Sequence, residues 1–181
     1  KIMGGAVGRV ETIATDARLA PVFDHVPDGD DGPSFDFAEH LDDDCVIVFD
    51  FGGMEGSVKR TLTLVILSNL WTALKAREQD ARRSDGDRDL PLVNLYLEEA
   101  REVGATRLLD TLLAEGRSFG LSIALGLQFV EQLDSPDPQR DTYREALNET
   151  ATFVAGNVSV DSELSRVLAT DAMAPDDVDR R

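Results

Sequence analysis

Hydrophobic residues in this chain fall into short continuous runs, separated by longer stretches in which apolar positions recur at helical spacing. The short runs are rich in aliphatic and β-branched side chains, which is typical of strands buried within a sheet. Strands are therefore predicted over residues 45–51, 92–97, 121–128 and 152–158.

Helices are predicted between these strands. The longest covers residues 55–82, and its inward positions recur at helical spacing: Leu62, Val65, Ile66, Asn69 (the one polar member), Leu70 and Ala73. Further helices are predicted over residues 9–23, 106–118, 142–148 and 162–168, with a single turn over 36–41. Gly120 occupies the position of a C-cap after the helix at 106–118.

Strands that alternate with helices specify an α/β fold with a mostly parallel sheet flanked by helices. A length of 181 residues suits one domain with a sizeable core. The chain divides into a linker with a partial helix and an exposed loop (1–34), a core (35–169) and an acidic tail (170–181). It begins with neither an initiator Met nor the apolar core of a signal peptide, so we expect a piece of a longer protein.

Charge restricts the possible partners of the surface. The formal net charge is −17, which argues against a surface that attracts nucleic acid as a whole, and the arginines form no basic stripe. Of 35 acidic residues 23 are Asp, and of 18 basic residues only Lys1, Lys59 and Lys75 are lysines. This composition is typical of a halophilic protein that works in a salt-rich cytoplasm, where ions screen self-repulsion. An ordinary acidic protein is the alternative.

Few residues suggest a metal or redox centre. Cys45 is the only cysteine, which excludes an intrachain disulfide or a cysteine zinc cluster, and we expect it to be a small core residue. His25 and His40 are expected at the surface, and Trp71 in the core or an interface. No stretch approaches the about 20 apolar residues that span a bilayer.

Two adjacent carboxylates, Glu98 and Glu99, follow the predicted strand at 92–97. Ligands of parallel α/β sheets bind beyond the carboxyl ends of the strands, where this pair is expected. Neighbouring residues of a strand point in opposite directions, so one carboxylate could serve a magnesium ion while the other orients and deprotonates an attacking water. The alternative is a solvated pair at the end of a strand.

Arg117 precedes the predicted strand at 121–128, and Gln128 ends it. Arg117 could reach across a subunit boundary to a γ-phosphate, or it could compensate a helix C-terminus. Gln128 could contact a γ-phosphate or the attacking water, or it could be a loop amide. The glycine-rich stretches at 4–9 and 52–59 do not match the phosphate-loop pattern G-x-x-x-x-G-K-[ST], and turns are predicted there.

Four segments in order resemble the carboxyl-terminal part of the HerA/FtsK superfamily of P-loop ATPases, most closely the conjugative-transfer and type IV secretion ATPases. They are FDFAEHLDDDCVIVFDFGGMEG (35–56), LPLVNLYLEEA (90–100), LLAEGRSFGLSIALGLQ (112–128) and ALNETATFVAGNVS (146–159). The second segment is similar to a Walker B strand. The resemblance extends over residues 35–168, and its weight comes from the order and spacing of the segments.

This resemblance implies a partial, three-layer RecA-like P-loop NTPase fold that works in a ring, usually a hexamer. Such rings use ATP and Mg²⁺ to move DNA, nucleoprotein or secreted substrate, in the cytoplasm or at membrane-associated secretion or conjugation machinery. Carried over by position, Glu98 serves the magnesium, Glu99 is the catalytic base, Arg117 is the trans-acting finger and Gln128 is the γ-phosphate sensor.

The chain departs from the family pattern in two ways. Glu98 stands where the family has Asp, which places the carboxyl group one methylene further out, and the chain contains no phosphate-binding loop. The main alternative is a non-catalytic α/β interaction module derived from such an ATPase. A further alternative is an enzyme of another α/β family that uses Asp50 and Glu98. A phosphate-loop motif upstream of Lys1 would favour the motor.

Because the phosphate-binding loop is missing, we expect these 181 residues alone to bind ATP weakly and not to hydrolyse it. Release of inorganic phosphate from ATP by the purified chain is the measurement. Turnover above the rate of a protein-free control would contradict this expectation.

Overall fold

The computed structural model describes residues 15, 17–20, 35–83, 90–100, 106–128 and 150–154. Its main elements are a long helix, a short helix and a two-stranded parallel sheet, and they establish an α/β fold. The helices predicted over 142–148 and 162–168 and the acidic tail lie outside the described residues, as do two thirds of the helix predicted over 9–23.

The long helix, α1, runs from Gly56 to Arg83, within one residue of the predicted bounds at each end. It follows a turn at Gly52-Gly53, where Gly53 has φ 74°. Leu62, Leu70 and Ala73 are buried as predicted, whereas Asn69 is exposed. No helix among the described residues has the length and apolar content needed to cross a bilayer.

The sheet consists of β1 (Val93–Leu97) and β2 (Leu121–Leu125), which pair in parallel with Val93 opposite Leu121 and Leu97 opposite Leu125. Parallel neighbours require a crossover connection, and α2 (Arg107–Glu115) lies within it. Both strands were predicted, and β2 ends three residues before the predicted limit at 128.

Only one face of this sheet packs against the core. The exposed fraction alternates along both strands, so that Leu95 and Ile123 are half-buried while Tyr96, on the other face, is 75% exposed. In the part of the chain that the structure describes, the other face of these two strands is left exposed. A continuous apolar run predicts a strand, but it does not show how many layers cover that strand.

The core lies between α1, α2 and the covered face of the sheet. Leu74 of α1 and Leu109 of α2 are completely buried, and Leu112 is almost so. Burying a leucine side chain contributes about 1.5–3 kcal/mol, so these contacts hold the two helices on the sheet. Trp71 belongs to this core, as predicted, with its ring edge against Phe119 at 4.7 Å between centroids.

The stretch of chain from the start of α2 to the start of β2 is capped at both ends. Thr106 caps the start of α2, where its hydroxyl accepts a hydrogen bond from the Leu109 backbone N–H at 3.3 Å. After Glu115 the chain continues as a 3₁₀ turn, Gly116–Phe119, which shortens the helix predicted over 106–118. Gly120 ends it in the left-handed conformation (φ 72°), which confirms the predicted C-cap.

One predicted strand, 45–51, is not a strand in the structure, and another, 152–158, is described only in part. Residues 45–51 form no sheet pairing with any described residue, and Val46 and Val48 are 89% and 79% exposed. Residues 152–154 are likewise without pairing in the described part of the chain, whereas 155–158 lie outside it. An apolar run becomes a strand only when another strand satisfies its N–H and C=O groups, and local sequence cannot supply that partner.

Cys45 is also placed differently from the prediction. It is exposed rather than a core residue, and its thiol approaches the carbonyl oxygen of His40 at 3.8 Å. The predicted turn at 36–41 is confirmed as a 3₁₀ turn, Phe37–Glu39, in which the Asp36 carboxylate accepts a hydrogen bond from the Ala38 N–H at 2.9 Å.

Arg77 of α1 links the segment after the 3₁₀ turn Phe37–Glu39 to the turn before β2. Its side chain is only 7% exposed, and its guanidinium donates hydrogen bonds to the carbonyl oxygens of Leu41 (3.0 Å) and Phe119 (3.3 Å). A carboxylate oxygen of Asp42 lies 3.6 Å away. A Cβ atom at Gly120 would stand 3.2 Å from the same guanidinium, so the absence of a side chain there lets the arginine reach Phe119.

We predict that Arg77→Ala destabilises the protein by about 3 kcal/mol, because hydrogen bonds from a charged donor to buried acceptors are worth about 1.5–3 kcal/mol each. Urea denaturation followed by circular dichroism measures the change. Arg83→Ala is the matched control, since Arg83 makes an exposed ion pair with Asp80 and should cost less than about 1 kcal/mol. Equal losses for the two variants would contradict the bridging role of Arg77.

Candidate functional site

Backbone hydrogen bonds link the segments that follow β1 and β2 at their carboxyl ends. The Gly126 N–H donates to the Leu97 carbonyl at 2.8 Å, and the Ala100 N–H donates to the Gly126 carbonyl at 3.1 Å. The turn that carries Glu98 and Glu99 therefore lies beside the segment that leads to Gln128. The structure brings these three residues to one edge of the sheet.

Glu98 and Glu99 lie in a turn after β1 rather than in the strand itself. The expectation that they are neighbours within a strand is therefore wrong. Glu99 has φ 53°, the only positive φ of a non-glycine residue in the described part of the chain. This conformation costs energy for any residue with a Cβ atom, and such positions are frequent at functional sites.

Both carboxylates line an open cavity of about 290 Å³ at this edge. Asp50 also lines the cavity, as do two residues of α1, Lys59 and Thr63. The cavity thus combines three carboxylates, one ammonium group and one hydroxyl. The alternative pairing of Asp50 with Glu98 also falls within this cavity.

A tight turn holds Asp50 in place. One of its carboxylate oxygens accepts a hydrogen bond from the Gly52 N–H at 2.8 Å. A Cβ atom at Gly52 would lie 3.0 Å from that oxygen, so a side chain at position 52 would displace the carboxylate. The Gly-Gly pair therefore positions an acidic group as well as ending the apolar run.

Lys59 and Thr63 were missed by sequence reasoning. They lie one helical turn apart, and the Thr63 hydroxyl donates to the Lys59 carbonyl at 2.8 Å. Lys59 belongs to the glycine-rich stretch 52–59. Because that stretch does not match the phosphate-loop pattern, the motif gave no reason to select Lys59. The sequence feature that could have identified Lys59 is its position in the first turn of a predicted helix. That helix comes directly after the apolar run 45–51 and the Gly52-Gly53 turn.

Arg117 lies at the opposite edge of the sheet. It belongs to the exposed 3₁₀ turn before β2, and a strand of this length separates it from Glu98 by about 16 Å. Arg117 is therefore not among the residues that line the cavity of its own chain. Gln128 is exposed and is outside the cavity lining, although it shares the edge with the two glutamates.

The three carboxylates do not form a metal cage by themselves. No group of three or more His, Cys, Asp or Glu side chains in the described part of the chain has the arrangement of a metal site. Mg²⁺ in phosphate-binding proteins is held by one or two carboxylates, with the other positions filled by water and phosphate oxygens.

Comparisons with protein-family models, with curated proteins and with solved structures find no match to this chain. The resemblance to the HerA/FtsK ATPases therefore depends on its sequence segments.

The backbone strain at Glu99 leads to a prediction. Glu99→Gly should be more stable than Glu99→Ala by about 1 kcal/mol, because both variants lack the carboxylate but only glycine adopts a positive φ without cost. Thermal denaturation of the two variants measures the difference.

Position 115 provides the matched control. Glu115 ends α2 in the right-handed region, so alanine should be the more stable substitution there. If alanine is also preferred at position 99, that residue is not left-handed in solution.

Proposed function

We propose that this chain is part of the RecA-like core of an ATP-hydrolysing motor of the HerA/FtsK kind, which moves DNA or nucleoprotein. The supporting observation is the cavity at the carboxyl edge of the parallel sheet, where Glu98 and Glu99 lie together with Asp50 and Lys59. Open α/β sheets bind their ligands at this edge.

The chemistry of the cavity suits a magnesium nucleotide. Carboxylate oxygens are the protein ligands of Mg²⁺, and an ammonium group suits phosphate oxygens. In the proposed site Glu98 holds the metal, directly or through water, and its longer side chain makes contact through water the simpler geometry. Bound Mg²⁺ would neutralise charge on the phosphates of ATP.

Glu99 is the proposed general base. Its carboxylate would orient the attacking water and accept its proton, while Gln128 would contact the γ-phosphate from the neighbouring segment. The left-handed backbone at position 99 sets the direction in which that carboxylate leaves the turn.

Arg117 is proposed to act on the site of an adjacent subunit. Its exposed position at the far edge of the sheet suits an arginine that completes a neighbour's site in a ring, proposed here as a hexamer. The net charge of −17 makes the general surface unsuited to DNA, so the substrate would be contacted by a localised part of the ring. We place this motor in a salt-rich cytoplasm or at the cytoplasmic face of a secretion or conjugation apparatus.

A non-catalytic interaction module is the second candidate. The exposed apolar side chains of Val46, Val48 and Tyr96 favour it, because a binding partner could cover them. The two candidates differ in whether the carboxylates have a chemical role.

The deciding experiment is Glu99→Gln in the full-length protein. Loss of the general base should lower kcat for DNA-stimulated ATP hydrolysis by about a hundredfold to ten-thousandfold, while ATP binding is retained. Glu115→Gln, which removes an exposed carboxylate at the end of α2, is the control and should leave kcat unchanged. An unaltered kcat for Glu99→Gln would overturn the motor proposal and favour the interaction module.

A further inference from the structure

We propose that residues 17–20 act as a strap that holds the Gly52-Gly53 turn, and that docking or release of this strap determines whether Asp50 keeps its place at the cavity. The strap does not depend on the proposed function, since neither ATP nor a metal takes part in it. Leu19 is its anchor, because this side chain is only 2% exposed although it lies outside the main core.

Leu19 packs in a small apolar cluster of its own. Its buried partners are Val58 and Leu62 of α1, and Phe51 and Met54 pack against them. Among the described residues, this cluster shares no member with the core between α1, α2 and the sheet. A small separate cluster can open without unfolding the rest of the domain, because its contacts are a minor part of the total burial.

An ion pair accompanies the apolar contact of Leu19. The Arg18 guanidinium donates a hydrogen bond to the Glu55 carboxylate at 2.7 Å, just before the first residue of α1. Both side chains are open to solvent, and exposed pairs of this kind add little to stability. The buried Leu19 side chain therefore contributes more than the ion pair does, and the docked state of the strap is favourable but reversible.

The cluster is connected to the cavity through the Gly52-Gly53 turn. Phe51 and Met54 stand on either side of that turn, and the Met54 N–H donates to the Phe51 carbonyl at 3.2 Å. Phe51 lines the cavity as well as packing against the cluster, and it follows Asp50 directly in the chain. When the strap leaves, both flanking residues lose apolar cover. The turn that supplies the Gly52 N–H to the Asp50 carboxylate then loses its support.

The test is amide hydrogen exchange of the 181-residue chain, followed by NMR for Leu19→Ala and the wild type. The amides of Met54 and Val58 donate the hydrogen bonds that close the turn and the start of α1. They should exchange at least about tenfold faster in the variant, because the burial of a leucine side chain is lost. The Gly52 N–H should follow them, since it is the donor to the carboxylate in the cavity. The amides of α2 should keep their wild-type rates.

Leu92→Ala is the matched control. It makes the same substitution at a leucine that is 63% exposed and outside the cluster, and it should leave all of these rates unchanged. Leu19→Met keeps an apolar side chain of similar size and should keep the wild-type rates. If Leu19→Ala does not fold, Leu19→Val removes less apolar surface and should show the same confined acceleration at a smaller magnitude.

Three outcomes would overturn the proposal or part of it. Unchanged rates at Met54 and Val58 in Leu19→Ala would exclude the strap. Acceleration spread equally over α2 would also exclude it, because Leu19 would then belong to one cooperative core. Acceleration at Met54 and Val58 without any at Gly52 would exclude the link to Asp50. The measurement contains neither ATP nor metal, so each of these results leaves the proposed function to its own test.

Discussion

The parallel pairing of β1 with β2 is the constraint on which the site depends. Parallel strands end at the same edge, so the turn after Leu97 and the segment after Leu125 are adjacent whatever residues they carry. The two backbone hydrogen bonds of Gly126 then fix their spacing. The placement of Glu98 beside the approach to Gln128 follows from this pairing and from the burial of α2 that makes the crossover stable.

The long helix α1 extends from the carboxyl ends of the two strands to their amino ends. Lys59, in its first turn, lines the cavity at the carboxyl ends of the strands, and Leu74 is buried in the core. Arg77 donates a hydrogen bond to the Phe119 carbonyl near the amino end of β2. A single rigid element therefore sets the distance between the proposed cavity and the turn of Arg117. In a ring, that distance would determine which neighbouring site the arginine reaches.

The sequence was informative where structure is decided locally. Helical spacing located α1, a glycine located the end of the 3₁₀ turn, and apolar runs located β1 and β2. It failed over residues 45–51 because a strand needs a partner that is distant in sequence. Lys59 was missed because its place in the site comes from packing rather than from a motif, and no local pattern predicts the left-handed backbone of Glu99.

Arg77 is shielded from dissolved ions far better than the arginines of the surface ion pairs. The outer ion pairs, such as Arg83 with Asp80, are open to solvent, and at molar ionic strength the Debye length falls to about 3 Å, so their attraction fades. The acceptors of Arg77 are neutral peptide carbonyls in a nearly covered position, which dissolved ions reach poorly. The two carbonyl hydrogen bonds of Arg77 therefore depend less on screened ion pairing than the surface pairs do, although its contact with the exposed Asp42 shares their dependence on salt.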